Sequence, residues 1–306
     1  MHGKTVLITG GTAGLGQATA IALARQGASV VITARNEARG RAAVAAISQR
    51  ANAAPIRLIP LDLASFASVR GAAERFLGEH PRLDVLINNA GVFAARLEHT
   101  REGFELQFGV NHLGPFLLSH LLLPALEAAP APRLVNVASR AHDAGQIDFD
   151  DLRGEKHPYR GWRAYARSKL ANVLFTREWN RRFPGIPANC LHPGTLRTAI
   201  GNKHSPWYMS LAWSLVKPFL ASPERGAATV VYLASSPMVA GIGGRYFDPW
   251  QRERRPSPLA LDDALARRLW EVSERLTTEG GLMTWTWVSD DGGIPPRYSN
   301  PNHERK

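Results

Sequence analysis

The stretch that decides the fold is Thr5-Val-Leu-Ile-Thr-Gly-Gly-Thr-Ala-Gly-Leu-Gly16. Its first five residues are β-branched or apolar, which is typical of a strand buried on both faces. Glycines follow, and a helical pattern then runs from Gln17 to Gln26. Such a turn brings backbone N–H groups and a helix N-terminus close to a pyrophosphate, although a purely structural tight turn is the alternative. The residues of this turn that we predict to contact a dinucleotide are Gly10, Thr12, Gly14, Leu15 and Gly16.

The second predicted strand, Ser29–Ala34, ends beside an arginine. Arg35 stands about 20 residues after the glycine turn, where an acid suits the ribose 2′-hydroxyl of NAD and an arginine suits the 2′-phosphate of NADP. Arg39 follows one helical turn later. The sequence therefore favours NADP(H) over NAD(H). The alternative is a surface arginine at the start of a helix.

Two further predicted strands end in residues that suit a ligand-binding edge. Ile56–Leu61 is followed by Asp62–Leu63, and the strand beginning at Val85 is followed by the small and amide residues of Asn88-Asn89-Ala90-Gly91. Strands alternate with helical stretches along the chain, which predicts an α/β fold with a doubly wound parallel sheet of Rossmann type, about seven strands in a single domain. The additional cofactor-binding residues predicted at this edge are Asp62, Leu63, Asn89, Ala90 and Gly91.

Tyr165 and Lys169 lie four residues apart in a helical pattern, so both side chains occupy one helix face. A phenol with a pKa of about 10 exchanges protons poorly at neutral pH unless a nearby positive charge stabilises the phenolate. The lysine supplies that charge. Because this spacing also occurs by chance on half-buried helices, its meaning depends on the dinucleotide site upstream.

Two more polar residues occupy places that point to the same site. Ser139 follows the predicted strand Arg133–Ala138, and Asn111 lies inside the apolar helical stretch Phe104–Leu123. A buried amide is costly unless it is hydrogen-bonded. A structural asparagine that caps or bends the helix is the alternative for Asn111.

The remaining segments suggest how the substrate site is enclosed. The polar loop between Ser139 and Tyr165 is long enough to form one wall of a pocket. The catalytic domain is predicted to span residues 1–280. Within it, an apolar stretch at Trp207–Leu220 predicts a substrate lid at about 199–222, with peripheral membrane contact as the alternative. The Gly- and Pro-rich tail at 281–306 is predicted to be extended or disordered.

Composition excludes several classes of protein. The net charge of +11 suits an anionic cofactor. Nucleic-acid binding is the disfavoured alternative, because the arginines are dispersed and no zinc-finger or RNA-binding signature accompanies them. The single cysteine, Cys190, permits neither an internal disulfide nor a cysteine-based metal site. Without a signal peptide or an apolar run of 18 residues, we expect no membrane span and a cytoplasmic protein.

Five motifs in order resemble the short-chain dehydrogenase/reductase family over about residues 3 to 250. They are Thr9-Gly10-x-x-x-Gly14-x-Gly16, Asn88-Asn89-Ala90-Gly91, Asn111 with Ser139, Tyr165-x-x-x-Lys169, and Pro193-Gly194 followed by Thr198. The resemblance implies that Tyr165 exchanges a proton with the substrate oxygen, which Ser139 also binds. It further implies that Lys169 lowers the pKa of Tyr165 and holds the nicotinamide ribose, and that Asn111 positions a water in a proton relay. The last motif would bind the nicotinamide side, and no metal is required.

A narrower likeness is to the retinol dehydrogenase and WW-domain oxidoreductase branch, which commonly uses NADP(H). It rests on Val110-Asn-His-Leu-Gly114, Ser168-Lys-Leu-Ala-Asn172, His192-Pro-Gly194 and Leu269-Trp-Glu-Val-Ser273. Thr12 and Ala138 depart from common family residues, but neither change removes a catalytic group. The resemblance implies hydride transfer between NADP(H) and a small apolar alcohol or carbonyl compound, with pairing into a homodimer or tetramer common among relatives. A non-catalytic dinucleotide-binding scaffold or sensor is the alternative.

Overall fold

A computed structural model describes residues 1–52, 56–194 and 222–278. Thr198, the predicted tail and all but the last residue of the predicted lid lie outside these ranges. The first half of the fold alternates strands and helices: β1 (Thr5–Ile8), α1 (Gly14–Arg25), β2 (Ser29–Ala34), α2 (Glu37–Ala51), β3 (Arg57–Pro60), α3 (Phe66–Glu79) and β4 (Val85–Asn88).

The second half begins with a helical region of several segments, α4 (Leu106–Phe108), a π-helical turn (Gly109–Leu113), α5 (Gly114–Leu121) and α6 (Leu123–Glu127). There follow β5 (Arg133–Val137), a 3₁₀ turn (Arg140–Ala144), α7 (Gly161–Arg182) and β6 (Ala188–Leu191). After the second gap come α8 (Pro223–Ser235), a 3₁₀ turn (Pro237–Val239), β7 (Tyr246–Phe247), β8 (Glu253–Arg254), a 3₁₀ turn (Leu259–Leu261) and α9 (Asp263–Thr278).

Within the described ranges the strands form one eight-stranded sheet in the order β3-β2-β1-β4-β5-β6-β7-β8. Every pair is parallel except β7 with β8. This confirms the predicted doubly wound parallel sheet. From β1, the strands β2 and β3 follow toward one edge of the sheet, whereas β4, β5 and β6 follow toward the other edge. The strand order therefore reverses between β1 and β4, and folds of this kind bind ligands in the crevice at the carboxyl ends of these two strands.

The core has two halves, one on each face of the sheet, because successive side chains of a strand point to opposite faces. Val6 and Ile8 of β1 pack toward α1, α2 and α8. Leu7 packs into the other half, with α3, α5 and α7. Both faces of the sheet are therefore covered, as the continuous apolar strand sequences predict.

The predicted helix Phe104–Leu123 is interrupted by the π-helical turn that carries Asn111. Pro115 has no N–H, so the carbonyl of Asn111 cannot accept the usual α-helical bond from four residues further on. Widening the turn accommodates that missing donor, and π-helical turns often mark functional sites. The apolar periodicity of the sequence continues through the proline and could not predict this change.

Helix α9 covers the sides of α5 and α7 that face away from the sheet. Trp270 is 2% exposed and packs with the rings of Phe116, His120 and Phe175. The Ser273 hydroxyl donates to the carbonyl of Leu269 at 2.7 Å and accepts a hydrogen bond at 2.8 Å from Nε2 of His112. The C-terminal helix is thus an integral part of the domain and buries a surface that α7 would otherwise expose.

Candidate active site

The glycine turn after β1 forms a cradle that larger side chains would fill. Gly10 and Gly14 have φ angles of +69° and +54°, a region that favours glycine. A Cβ on Gly16 would lie 2.4 Å from the carbonyl oxygen of Gly10. The N-cap of α1, Ala13, has no capping side chain, and the first turn contains no acid. The backbone N–H groups at this helix N-terminus therefore fit a pyrophosphate.

Thr9 and Asn89 join the ends of β1 and β4 beneath this cradle. The Thr9 hydroxyl accepts hydrogen bonds at 3.0 Å from the backbone N–H groups of both Asn89 and Ala90. In return, the Asn89 amide donates to the carbonyl of Thr9 at 2.8 Å. Asn89 therefore fixes the start of the glycine turn through hydrogen bonds to its backbone. Thr9 lies outside our predicted set of cofactor residues, although it begins the glycine motif.

The predicted adenosine-side residues lie at the carboxyl ends of β2 and β3. Arg35 is exposed directly after β2, and among the described residues its guanidinium forms no ion pair. Asp62 is half-buried, with its backbone N–H bonded to the Ser68 hydroxyl at 2.9 Å and a carboxylate oxygen accepting the Ala64 N–H at 3.1 Å. Leu63 is buried, and its carbonyl oxygen packs against Gly114.

Lys169 is a buried ammonium beside Tyr165. Its Nζ donates to the carbonyl of Val137 at 3.0 Å and lies 5.6 Å from the centroid of the Tyr165 ring. Burial lowers the pKa of Lys169 to about 8. A Cβ on Gly91 would lie 3.4 Å from Nζ, so glycine keeps the space beside the ammonium open. Two donors remain available there for hydroxyl groups of a ribose.

Tyr165 and Ser139 meet across the active site, as predicted. Burial raises the pKa of the Tyr165 phenol, and a hydrogen bond with the Ser139 side chain acts in the opposite direction. Our sequence argument considered only the ammonium of Lys169, whereas burial of the phenol is the larger effect. Ser139 also caps the 3₁₀ turn after β5, with its hydroxyl accepting the Ala141 N–H at 3.2 Å.

Asn111 reaches the same site, and both N–H donors of its amide are used within the protein. Its Oδ1 accepts the Val92 N–H at 2.7 Å, while Nδ2 donates to the Val92 carbonyl and to the Ser168 hydroxyl, both at 3.0 Å. The side chain thus anchors the loop after β4 to the catalytic helix. The predicted part in a water relay stays a prediction.

A buried polar network behind the site involves residues that sequence reasoning missed. Glu105, which is 0% exposed, pairs with Arg167 of α7 at 3.3 Å and accepts a hydrogen bond from Tyr159 at 2.9 Å. Gln107 donates to Tyr159 and to the carbonyl of Gly161. The network ties the segment before Asn111 to the loop and helix that carry Tyr165. These partners are far apart in sequence, so no local pattern signals them.

The remaining predicted residues lie after β6. Pro193 leads into Gly194, whose φ of +80° favours glycine. A Cβ there would lie 3.1 Å from the Pro249 ring.

The loop between Ser139 and Tyr165 lines an open cleft beside the first turn of α7. Among the residues that the structure describes, no three His, Cys, Asp or Glu side chains form a group that could hold a metal ion.

Comparisons with known proteins agree with this geometry. A sequence model of the short chain dehydrogenase family matches residues 4–209. Retinol dehydrogenase 14 of Homo sapiens is 46% identical, with 90% of this chain and 86% of that protein covered. Dehydrogenase/reductase SDR family member 13 of Homo sapiens is 43% identical over 99% of this chain and 82% of its own length. A crystal structure of an uncharacterized protein from Mycobacterium Paratuberculosis superposes with a TM-score of 0.72 at 36% identity, covering 90% of this chain and 94% of that one. The protein therefore belongs to the short-chain dehydrogenase family, in its retinol dehydrogenase-like branch, and is an oxidoreductase that acts on CH–OH groups with a nicotinamide cofactor.

Proposed function

We propose that the protein transfers hydride between NADP(H) and the alcohol or carbonyl group of an apolar, retinoid-like substrate. The observation that carries this proposal is the proximity of the Ser139 side chain and of the buried Lys169 ammonium to the Tyr165 phenol. These groups lie at the carboxyl edge of the sheet, beside the glycine cradle. A proton donor, a second hydrogen-bond donor and a positive charge thus surround one point where a carbonyl oxygen can lie.

Each side chain has a defined part in the reaction. The bound nicotinamide supplies or accepts the hydride at the substrate carbon. In reduction, Tyr165 donates its phenolic proton to the carbonyl oxygen, and in oxidation it removes the hydroxyl proton of the alcohol. Ser139 donates a hydrogen bond to the same oxygen, which stabilises the developing charge. The ammonium of Lys169 stabilises the phenolate that Tyr165 becomes after giving up its proton.

Two arginines support the preference for NADP(H). Arg35 follows β2 and Arg39 lies in the first turn of α2, and both are exposed. The backbone N–H of Arg39 bonds to the Asn36 side chain at 2.9 Å, which fixes the start of the helix between them. A guanidinium at the end of β2 suits a 2′-phosphate, whereas an acid would repel it.

The names of the relatives support the substrate class. Retinol dehydrogenases 12, 13 and 14 of Homo sapiens are 42%, 43% and 46% identical to the chain. A retinoid-like alcohol or aldehyde is therefore the substrate that we propose first, with steroid-like and long-chain aldehydes as close chemical relatives.

In the described part of the chain, no helix is long and apolar enough to cross a membrane.

The proposal is tested by following NADPH absorbance with a panel of retinoid, steroid and aliphatic aldehydes and ketones. We expect turnover with apolar aldehydes, and loss of turnover in Tyr165→Phe with NADPH affinity nearly unchanged. Tyr232→Phe is a matched control and should leave turnover unchanged, because the Tyr232 phenol lies on α8 and its ring packs against Phe247. Unchanged turnover in Tyr165→Phe would refute the mechanism. Tight NADPH binding without turnover on the whole panel would favour a non-catalytic dinucleotide sensor.

A further inference from the structure

Two aromatic rings flank the catalytic tyrosine, and neither has a part in the mechanism described above. The Phe93 ring lies 5.8 Å from the Tyr165 ring, centroid to centroid, at an interplanar angle of 69°. The Trp162 ring lies 6.0 Å from the same ring at 32°. Phe93 belongs to the loop after β4 and Trp162 to the first turn of α7, so the two rings reach Tyr165 from different elements.

Trp162 is unusual because it is large, apolar and 57% exposed. Single exposed apolar residues are common and need no explanation by themselves. The buried face of α7 is formed by other positions, including Gly161, Ala164 and Leu170, so packing of the helix does not require a tryptophan here. Its contact with the ring of the catalytic tyrosine is what distinguishes it from the other exposed side chains.

The backbone that carries both rings is held rigidly. Asn111 binds both polar groups of Val92, the residue before Phe93. Gln107 donates to the carbonyls of Ala94 and Gly161, at 3.2 and 2.9 Å. A Cβ on Gly161 would lie 2.3 Å from the Ala94 carbonyl oxygen, so glycine permits this close approach. The rings are thereby preorganised beside the reacting oxygen, which reduces the entropy lost when a ligand binds.

We infer that Phe93 and Trp162 bind the hydrocarbon part of the substrate next to the reacting carbonyl and select flat, conjugated compounds over saturated ones of the same length. Aromatic faces interact with other π systems beyond the effect of buried area alone. Covering an exposed ring with an apolar ligand also removes the most apolar surface from water, which favours binding. This inference rests on the proposed function, since it assigns the substrate class of the same site.

The test compares three aldehydes with NADPH: propanal, decanal and 2,4-decadienal. Trp162→Leu keeps an apolar side chain and a good helix former but removes the aromatic face. We expect its kcat/KM to fall roughly three- to tenfold for 2,4-decadienal, from the worth of an aromatic contact. The loss should be smaller for decanal and absent for propanal. Trp250→Leu is the matched control, because Trp250 is 59% exposed and, among the described residues, its ring contacts no other aromatic ring.

Equal losses for all three aldehydes would overturn the inference, because Trp162 would then only support Tyr165. An unchanged preference for the diene would overturn it as well. A calorimetric titration of 2,4-decadien-1-ol in the presence of NADPH separates this inference from the proposed function, since no reaction can occur in that mixture. Weaker binding to Trp162→Leu than to Trp250→Leu supports the inference even if every aldehyde fails to react, and equal binding refutes it.

Discussion

The Nδ1 atom of His142 lies 2.7 Å from the carbonyl oxygen of Ser139. Because a carbonyl oxygen only accepts, Nδ1 carries a hydrogen. On the other side of the ring, Nε2 lies 3.3 Å from the backbone nitrogen of Ser257 and 3.1 Å from the Asp143 carboxylate. His142 is 1% exposed, so the imidazole is a buried link between the turn that presents Ser139 and the chain beyond β8.

Replacing His142 by Leu should lower kcat by about tenfold, because a small displacement of Ser139 misaligns its hydroxyl with the substrate oxygen. The dissociation constant of NADPH should change little, since the cradle lies on other strands. Steady-state kinetics and a fluorescence titration of NADPH measure the two quantities. Ser257→Ala is the control and should be neutral, because Ser257 uses its main-chain N–H. A variant with normal kcat would show that His142 does not position Ser139.

Burial of the charged Lys169 side chain should lower the free energy of unfolding of the protein. Burial lowers its pKa from 10.5 to about 8, which corresponds to a cost of about 3 kcal/mol for holding the charge at neutral pH. Lys169→Met removes the charge and keeps the length of the chain. We expect turnover to fall by at least about a hundredfold, while the free energy of unfolding rises by about 1–3 kcal/mol.

Urea unfolding at pH 7 measures this change, with Lys4→Met as the control of opposite sign. Lys4 pairs with Asp84 at 2.8 Å, and the Asp84 side chain is 1% exposed. Removing that ammonium takes a charge partner from a buried carboxylate, so Lys4→Met should destabilise the protein. If Lys169→Met were the less stable of the two variants, burial of the Lys169 charge would not carry the cost that its pKa indicates.

Two buried histidines beneath α9 should make stability depend on pH. Burial lowers the pKa of His112 to about 3 and that of His120 to about 4. Both groups are neutral in the folded protein at pH 5, whereas the unfolded chain takes up protons below about pH 6.5. Stability therefore falls as pH decreases from 6.5 toward 4, and these two groups have no effect above 7.

The expected loss between pH 7 and pH 5 is about 2 kcal/mol for each histidine, or about 4 kcal/mol together. Urea unfolding at the two pH values measures the total change, to which His80 and His192 contribute in the same direction because burial also lowers their pKa values. The pH dependence of the double variant His112→Gln/His120→Gln should therefore be smaller than that of the wild-type protein by about 4 kcal/mol. If the free energy of unfolding falls equally with pH in the wild-type protein and in the double variant, other groups are responsible.

The sequence predicted the sheet, because continuous apolar strands and glycine turns are local signals. Strand β2 lies where its apolar run predicted it. Strand β7 has only two residues, because Gly244, two positions before it, has a φ of +77° and interrupts the extended backbone. Strand β8 was missed since it has only two exposed residues.

Supporting contacts of the site were the part that sequence could not reveal. Glu105 and Arg167 are 62 residues apart, and nothing in either local pattern indicates that one neutralises the other. His142 appeared only as part of a polar loop. Its contact with Ser139 depends on a 3₁₀ turn whose geometry follows from the tertiary structure. Local patterns predict candidate ligand-binding residues, whereas the residues that position them depend on long-range packing.

The proposed preference for NADP(H) is tested most directly at the end of β2. Arg35→Asp should reduce the ratio of kcat/KM for NADPH to that for NADH by about tenfold or more, because the carboxylate repels the 2′-phosphate and accepts the 2′-hydroxyl instead. Arg41→Asp makes the same change of charge further along α2, at an arginine paired with Glu37 on the surface. It should leave the ratio within about twofold, since an exposed pair is worth little and lies farther from the strand end. If the two variants shift the ratio equally, the general positive field, and not a contact with Arg35, sets the choice of cofactor.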